Sequence, residues 1–238
     1  MKLHLLSNPI TNYKAKKNMK LGVDTYFLSL AHSDTSGYNV CPRANRVGIG
    51  ENNPLKSSCS SVCVATNGNG NFPNVKNARI RKTKMFFEDR NKFMKLLVTD
   101  IGKAIQESRK NGHIPSFRLN SYSDIRWEKI NINCIWDAKK FEPFVNIFDL
   151  FPDVTFYDYT KLDNREVPDN YHLTYSHFGL WEITNQVLDD GFNVAMVFNK
   201  NKPLPEKYNG KTVVNGDETD LRTEENDGKN VIVGLLAK

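Results

Sequence analysis

The sequence lacks any long hydrophobic run. None of its apolar stretches approaches the roughly 20 residues that a membrane-spanning helix needs, so we expect no integral membrane protein and no membrane partner. The N-terminal residues MKLHLLSNPITNYKAKKNMK also lack a signal-peptide core and a small-residue cleavage site. These absences predict a cytoplasmic location.

Cysteine and histidine are scarce, with 4 and 5 residues respectively. Thiols stay reduced in the cytosol, so these cysteines are candidates for ligands, nucleophiles or core residues before disulfides. No GxxxxGK[ST] phosphate loop occurs anywhere in the chain. The compact C-x₃-C-x₂-C cluster motif is absent as well, because Thr66 occupies the third place.

Aromatic and aliphatic residues are plentiful. The 238 residues include 14 Phe, 9 Tyr and 3 Trp within a hydrophobic share of 39%, which is enough for a sizeable core and excludes disorder of the whole chain. The formal net charge of +6 permits nucleic-acid binding without requiring it.

Short strand-like runs alternate with helical runs after Gly112. This alternation is typical of βα units and predicts an α/β fold with a mainly parallel sheet. About six strands favour an open sheet or an incomplete (β/α) barrel over a closed eight-fold barrel, which typically needs about 250 residues. Strands are predicted at 115–120, 154–160, 171–175, 193–198, 211–215 and 231–236, with helices at 141–151 and 178–190.

The N-terminal part of the chain is organised differently. Residues 1–20 read as a mobile arm or an edge strand, residues 23–32 have strand composition, and residues 33–76 form a long loop that contains three cysteines. A long amphipathic helix then begins near Asn74 or Asn77 and ends at Asn111-Gly112. We therefore divide the chain into an N-terminal elaboration, 1–76, and an α/β core, 77–238, within one structural domain.

Polar side chains follow the predicted strands, and in parallel sheets the loops at the carboxyl ends of strands carry the ligand sites. Ordinary solvated loops would show the same pattern, and His177 would equally suit a hydrogen-bonded structural role. Asp217, Asp220 and Arg222 could likewise form an internal ion pair in a solvated turn. The candidates in chain order are Arg118, Asn120, Asp124, Arg126, Lys161, Ser176, His177, Asp217 and Arg222.

Cys41, Cys59 and Cys63 supply three soft ligands within one loop. A structural zinc ion usually takes four ligands, so it would need a histidine or the distant Cys134 in addition. Three thiolates could instead hold an iron–sulfur cluster with one iron open. Buried thiols or one redox-labile pair are the alternative.

The start of the long helix is strongly basic. Arg79, Arg81, Lys82 and Lys84 could contact phosphates of a nucleic acid. An ordinary solvated helix face is the alternative, and the neighbouring Phe86 follows the spacing of core residues.

Several segments together resemble a family of proteins encoded by bacteriophages and plasmids, related to the phage "gene product eighty-eight" proteins. The segments are NVCPRA, CSSVC, NVKNARIRKTKMFFEDR, RLNSYSDIRWE, FYDYTK, NYHLTYS, GDETDLR and VIVGLLAK. The family pattern has cysteines that match Cys41, Cys59 and Cys63, and strand-end blocks that contain Asn120, Asp124, Arg126, Lys161, Ser176, Asp217 and Arg222. This chain departs from it in the longer GIGENNPLKSS insert and in Ser58, where relatives have Gly. Distantly similar phage proteins look like radical S-adenosylmethionine enzymes, whose barrel is incomplete.

Two functions remain open at this level. The first is a phage- or plasmid-type enzyme, dependent on a metal or an iron–sulfur cluster, that acts on a nucleotide or nucleic acid. Its proton carriers would be Asp124 and His177, with Asn120 and Lys161 also in the catalytic site. Arg118, Arg126, Lys161, Ser176, Asp217 and Arg222 would bind the substrate, and the three cysteines would bind the metal. The second is a non-catalytic basic module that binds nucleic acid or a host protein through residues 76–95. A structural role in the virion has no positive sign in the sequence.

Overall fold

The computed structural model describes residues 4–43, 59, 63, 72–132 and 144–237, which form a mixed α/β fold with nine strands. The strands are β1 (Leu6–Ser7), β2 (Val23–Leu28), β3 (Ile114–Arg118), β4 (Thr155–Thr160), β5 (Tyr171–Ser176), β6 (Asn193–Phe198), β7 (Lys207–Tyr208), β8 (Lys211–Asn215) and β9 (Ile232–Leu236). The helices are α1 (Tyr13–Met19), α2 (Ser33–Ser36), α3 (Pro73–Glu88), α4 (Arg90–Lys110), α5 (Ile147–Leu150), α6 (Trp181–Asp189) and α7 (Glu224–Asp227).

The strands form one open sheet in the order β1-β2-β3-β4-β5-β6-β9-β8-β7. Parallel pairs join β2 to β3, β3 to β4, β5 to β6, β6 to β9 and β8 to β9, whereas β1 and β7 are antiparallel to their neighbours. The predicted parallel α/β class is therefore confirmed. The estimate of six strands was too low, partly because the two-residue strands β1 and β7 are too short to show any alternation. The strand order contains no closing pair among the described residues, so the sheet is open and a barrel is not confirmed.

The predicted long helix is two helices. Asp89 interrupts the helical backbone with φ −142° and ψ 68°, and its side chain accepts a hydrogen bond from the Lys92 N–H, which caps α4. The spacing of apolar residues continues from Phe86 to Phe93 across this break, so the sequence pattern does not reveal it. The predicted end of the helix at Asn111-Gly112 is confirmed, because Gly112 follows α4 with φ +73°.

The N-terminal residues were predicted as a mobile arm or an edge strand. Besides the edge strand β1, the structure has a 3-10 turn at Pro9–Thr11 and the helix α1, which buries Ala15 and Asn18. A lysine-rich helix of seven residues presents too few apolar positions to show a period. The arm reading was therefore wrong for this segment.

Leu5 fastens the N-terminal segment to α3 and α4. Its N–H donates to Asp100 Oδ2 at 2.7 Å, and its carbonyl accepts from Lys82 Nζ at 2.6 Å. The Leu5 side chain is fully buried. Burial lowers the pKa of the Lys82 ammonium from 10.5 to about 8, although the nearby Asp100 carboxylate opposes this shift.

The chain separates into two compact units. The first comprises Met1–Pro42, Cys63–Phe156 and Val167–Tyr171, and the second comprises Arg43–Val62, Tyr157–Glu166 and His172–Lys238. The division at residue 76 that the sequence predicted stays a prediction. Across the described ranges, no helix is both long and apolar enough to span a membrane.

The core of the first unit lies between the sheet and α4. Every residue of β2 is buried, and Phe93, Leu97 and Ile101 of α4 have no exposed surface. Trp127 joins this core, with its ring centroid 5.3 Å from that of Phe86. The regularly spaced apolar residues of α4 therefore form the buried face that the sequence predicted.

The core of the second unit forms where α6 packs on β6 and β9. Leu188, Val194 and Ile232 are fully buried there. Gly216 lies so close to β9 that a Cβ atom would come within 2.4 Å of Val233 Cγ1. A larger residue at position 216 would have to displace this strand.

Candidate functional site

The first unit places a polar loop directly after β3, and Asn120 organises it. Asn120 is 3% exposed. Its Oδ1 accepts from Ser123 Oγ, the Ile125 N–H and Trp127 Nε1 at 2.8, 2.9 and 3.1 Å, and its Nδ2 donates to the Ile125 carbonyl and to Tyr171 Oη. Since both ends of the amide are engaged, this geometry makes Asn120 a positioning residue.

The other predicted residues of this loop lie near Asn120 in the chain. Arg118 is 4% exposed, with its guanidinium 5.5 Å from the centre of the Phe27 ring. Asp124 is also buried, and Arg126 is half-buried at the start of the 3-10 turn Trp127–Lys129. Buried and half-buried polar and charged groups therefore lie at the end of β3 and in the loop after it, and their role in a functional site stays a prediction.

The segment that follows β2 lies along this loop. The Ser121 N–H donates to the Leu28 carbonyl at 3.4 Å, and the Asp124 N–H donates to the Val40 carbonyl at 2.9 Å. Cys41 Sγ lies 3.8 Å from the carbonyl oxygen of Tyr122. The carboxyl ends of β2 and β3 therefore continue into two loops in contact with each other.

His32 lies in the segment after β2, and sequence reasoning did not single it out. The side chain is 6% exposed, and its Nδ1 accepts from the Asp34 N–H at 3.2 Å. Its Nε2 is buried and has no hydrogen-bond partner within the part of the chain that the structure describes, and the same is true of Ser121 Oγ. The signal was available, because His32 ends the strand-like run 23–32.

The four cations predicted on α3 have different environments. Arg81 and Lys84 are exposed. Arg79 is half-buried, with its guanidinium 4.2 Å from the centre of the Tyr122 ring. Lys82 is turned inward to Leu5, so Arg81 and Lys84 are the two of the four that face solvent.

The exposed surface of α3 and α4 together is strongly basic. Its acidic residues are Glu88, Asp89 and Glu107. Against these three acidic residues, the same surface has eight exposed cations: Lys76, Arg81, Lys84, Lys92, Lys95, Lys103, Arg109 and Lys110. We call this set of eight residues the α3–α4 basic surface.

In the second unit, Lys161 and Ser176 meet at the carboxyl ends of β4 and β5. Lys161 Nζ donates to Ser176 Oγ at 3.0 Å and to the Ser176 carbonyl at 3.1 Å. The ammonium also lies 4.9 Å from the centre of the Phe178 ring. The sequence named both residues, and the structure brings them together.

His177 uses both ring nitrogens within the chain. Nδ1 lies 2.7 Å from Thr184 Oγ1, and Nε2 accepts from the Gly179 N–H at 3.2 Å. Thr184 itself donates to the Leu180 carbonyl, so Nδ1 carries the hydrogen and donates to Thr184. Burial, and secondarily the Lys161 charge, lowers the pKa of His177 below 6.5. This is the geometry of a neutral histidine that anchors the loop leading into α6.

Arg222 is enclosed by its own loop. Nη1 donates to Asp227 Oδ1 at 2.7 Å, Nη2 donates to the Gly216 and Thr219 carbonyls, and Nε donates to Tyr159 Oη at 3.1 Å. The guanidinium side chain is fully buried. It forms the internal Asp–Arg pair that the sequence left as an alternative, here with Asp227.

Asp217 has a backbone partner. Its Oδ2 accepts from the Leu236 N–H at 2.7 Å, which fastens the loop after β8 to the end of β9. Burial raises the pKa of Asp227, while the neighbouring Arg222 opposes the shift. Both carboxylates therefore have structural contacts.

The three predicted metal ligands are half-buried cysteines. Cys41 and Cys63 belong to the first unit and Cys59 to the second. Within the part of the chain that the structure describes, no three His, Cys, Asp or Glu side chains are grouped so as to hold a metal ion. The predicted zinc or iron–sulfur site stays a prediction. Cys134 lies outside the described residues.

Comparison with known families supports the resemblance seen in the sequence. A family model described as Gene product 88 matches residues 5–238. The chain belongs to the Gene product 88 family. No curated protein and no solved structure matches the chain. The Gene product 88 match includes the loop after β3, α3, α4 and the Lys161–Ser176 pair.

Proposed function

We propose that the protein binds nucleic acid through the α3–α4 basic surface. The observation that carries this proposal is the excess of eight exposed cations over three exposed acids on two consecutive helices. The whole chain has a net charge of only +6. The excess of five positive charges on α3 and α4 is therefore a large part of the net charge of the chain.

The spacing of these cations suits a phosphate backbone. Lys92, Lys95, Lys103 and Lys110 recur at intervals close to whole helical turns, opposite the buried face of α4. They span 18 residues, or about 27 Å of helix. Lysines at this spacing contact phosphates without reading bases, so we expect binding with little sequence preference and strong dependence on salt.

Paired alanine variants test the proposal. The variants are Arg81→Ala with Lys84→Ala on α3, and Lys92→Ala with Lys95→Ala on α4. Each pair removes two exposed cations and should reduce the slope of log K against log salt by up to about 2 for duplex DNA. Lys82→Ala is unsuitable, because Lys82 holds Leu5 in place.

Lys200→Ala with Lys202→Ala is the matched control. Both lysines are exposed and lie in the second unit, away from the two helices in the chain. The control should bind a fluorescent duplex as the wild type does. Equal losses in all three double variants would reduce the effect to net charge and contradict a defined surface. Binding of a host protein instead of nucleic acid remains the other outcome for this surface.

A specific contact also favours an enzymatic role on nucleic acid or nucleotides. The 3.0 Å contact between Lys161 Nζ and Ser176 Oγ places a hydroxyl beside an amine at the carboxyl ends of β4 and β5. In such a pair the neutral form of the Lys161 amine takes the hydroxyl proton while the serine oxygen attacks the phosphorus of a phosphoester. The P–O bond to the alcohol breaks, and the lysine returns the proton to that alcohol as it leaves. The roles that the sequence predicted for Asp124, His177, Asn120, Arg118, Arg126, Asp217 and Arg222 stay predictions.

Catalysis is tested separately from binding. Ser176→Ala and Lys161→Met should abolish phosphoester cleavage while leaving the salt slope unchanged. Ser123→Ala is a poor control because Ser123 contacts Asn120, whereas Ser33→Ala changes an exposed hydroxyl in the first unit. Iron and zinc analysis of anaerobically purified protein tests the metal prediction for Cys41 and its partners.

A further inference from the structure

The two loops at the carboxyl ends of β2 and β3 contain two buried polar atoms, His32 Nε2 and Ser121 Oγ, that have no hydrogen-bond partner among the described residues. A buried donor left without a hydrogen bond destabilises the folded protein. Native proteins keep few such groups, and each requires an explanation. Here two lie in one pair of contacting loops of the first unit.

The hydrogen bonds of His32 determine which ring nitrogen carries the hydrogen. Nδ1 accepts from the Asp34 N–H, so its lone pair is occupied and it carries no hydrogen. The hydrogen of the neutral ring is therefore on Nε2. This makes Nε2–H a donor aimed into the protein, while the exposed Asp34 carboxylate lies on the other side of the ring, near Nδ1.

A series of contacts connects His32 to Ser121 through α3. Ala31, which precedes His32, donates its N–H to Thr83 Oγ1 at 2.8 Å. Arg79 lies one helical turn before Thr83 and accepts its hydroxyl through the main-chain carbonyl at 2.9 Å. The Arg79 guanidinium packs on the ring of Tyr122, the residue after Ser121.

The series then closes on the sheet. The Ser121 N–H donates to the Leu28 carbonyl at the end of β2, four residues before His32. These contacts join the segments that carry an imidazole N–H, a hydroxyl and a guanidinium. All three groups donate hydrogen bonds, and one is positively charged, which is the donor set for an oxyanion.

We propose that these three groups converge on a binding site for a phosphate group, with His32 Nε2 and Ser121 Oγ as its donors and Arg79 as its cation. The site is distinct from the α3–α4 basic surface, because none of the three residues belongs to that surface. It lies at the carboxyl ends of parallel strands, where α/β sheets bind their ligands. A nucleoside monophosphate and free phosphate share the required chemistry.

The site is tested by titration of the ¹⁵N-labelled wild-type protein at pH 7. Inorganic phosphate and a nucleoside 5′-monophosphate are added in separate experiments, and the Nε2 resonance of His32 is followed. Both additions should shift this resonance and leave His172, in the second unit, unchanged. Tighter binding of the monophosphate would identify a nucleotide as the source of the phosphate. A His32 resonance that stays in place at saturating concentrations of both probes would overturn the proposal.

Two variants separate the donors from the fold. His32→Asn keeps an acceptor for the Asp34 N–H, because asparagine is a favourable N-cap residue, but removes the Nε2 donor. Ser121→Ala removes the hydroxyl alone. Each should weaken binding of the probe at least tenfold, whereas Lys200→Ala with Lys202→Ala, in the second unit, should leave it unchanged. Unchanged affinity in both His32→Asn and Ser121→Ala would also overturn the proposal.

Discussion

Lys82 makes the stability of the first unit depend on pH in an unusual direction. The pKa of its ammonium falls from 10.5 in the unfolded chain to about 8 in the folded protein, chiefly through burial. Between these values the unfolded chain binds more protons than the folded one. The free energy of unfolding therefore rises with pH in this window, and the cost of the buried charge is fully present below pH 8.

The size of the effect follows from the shift. About 2.5 pKa units correspond to about 3 kcal/mol at 1.36 kcal/mol per unit. Lys82→Met keeps a long side chain over Leu5 and removes the titrating charge. The difference in unfolding free energy between wild type and Lys82→Met should shift by about this amount in favour of the wild type as pH rises from 7.5 to 10.5.

Urea denaturation at a series of pH values measures this difference. Comparing two proteins cancels the titration of the other groups. Lys84→Met is the control, because Lys84 is exposed on the same helix and should give a curve parallel to that of the wild type. If the unfolding free energies of Lys82→Met and wild type instead varied in parallel with pH, the conclusion that the Lys82 ammonium is buried would be refuted.

Three further predictions concern the loop after β3, the second unit and the packing of glycines. Asn120→Ala leaves three donors without an acceptor and should destabilise the protein by at least about 3 kcal/mol in urea denaturation, whereas the exposed Asn77→Ala should cost well under 1 kcal/mol. The imidazole of His177 should titrate below pH 6.5 by NMR, because burial and the Lys161 charge disfavour the protonated ring. The neutral ring then contributes stability that is lost as pH falls below 6.5. A measured pKa at or above 6.5 would contradict the structural role of His177. Gly216→Ala should lower stability by about 1–3 kcal/mol, because the added methyl group would clash with β9. Gly102→Ala, in an open position on α4, should raise stability by up to about 1 kcal/mol. A change in stability of the same sign in both variants would contradict the packing around β9.

The periodic features of the sequence predicted the fold well. The runs at 193–198 and 211–215 coincide with β6 and β8, and the runs at 154–160 and 171–175 differ from β4 and β5 by one residue. Side-chain alternation and breaker residues are local properties, so a single sequence reveals them. The sequence did not predict the break between α3 and α4 at Asp89, because the apolar face continues through it.

The candidate site was predicted less completely, since long-range contacts decide it. Lys82 has the same local sequence character as Lys84, yet it is buried by Leu5, 77 residues away. The sequence equally offers no sign that His32 lacks a partner for Nε2. By contrast, Lys161 and Ser176 followed from the rule that strand ends meet at one edge, and the structure places them 3.0 Å apart.

The dependence of DNA affinity on salt is the most direct test of the proposed function. Wild-type protein is titrated against a duplex of about 20 base pairs between 50 and 200 mM salt. The α3–α4 basic surface predicts a slope of log K against log salt steeper than about −4, reduced in Arg81→Ala with Lys84→Ala and unchanged in Lys200→Ala with Lys202→Ala. An affinity that does not change with salt, or no binding at 50 mM, would contradict it.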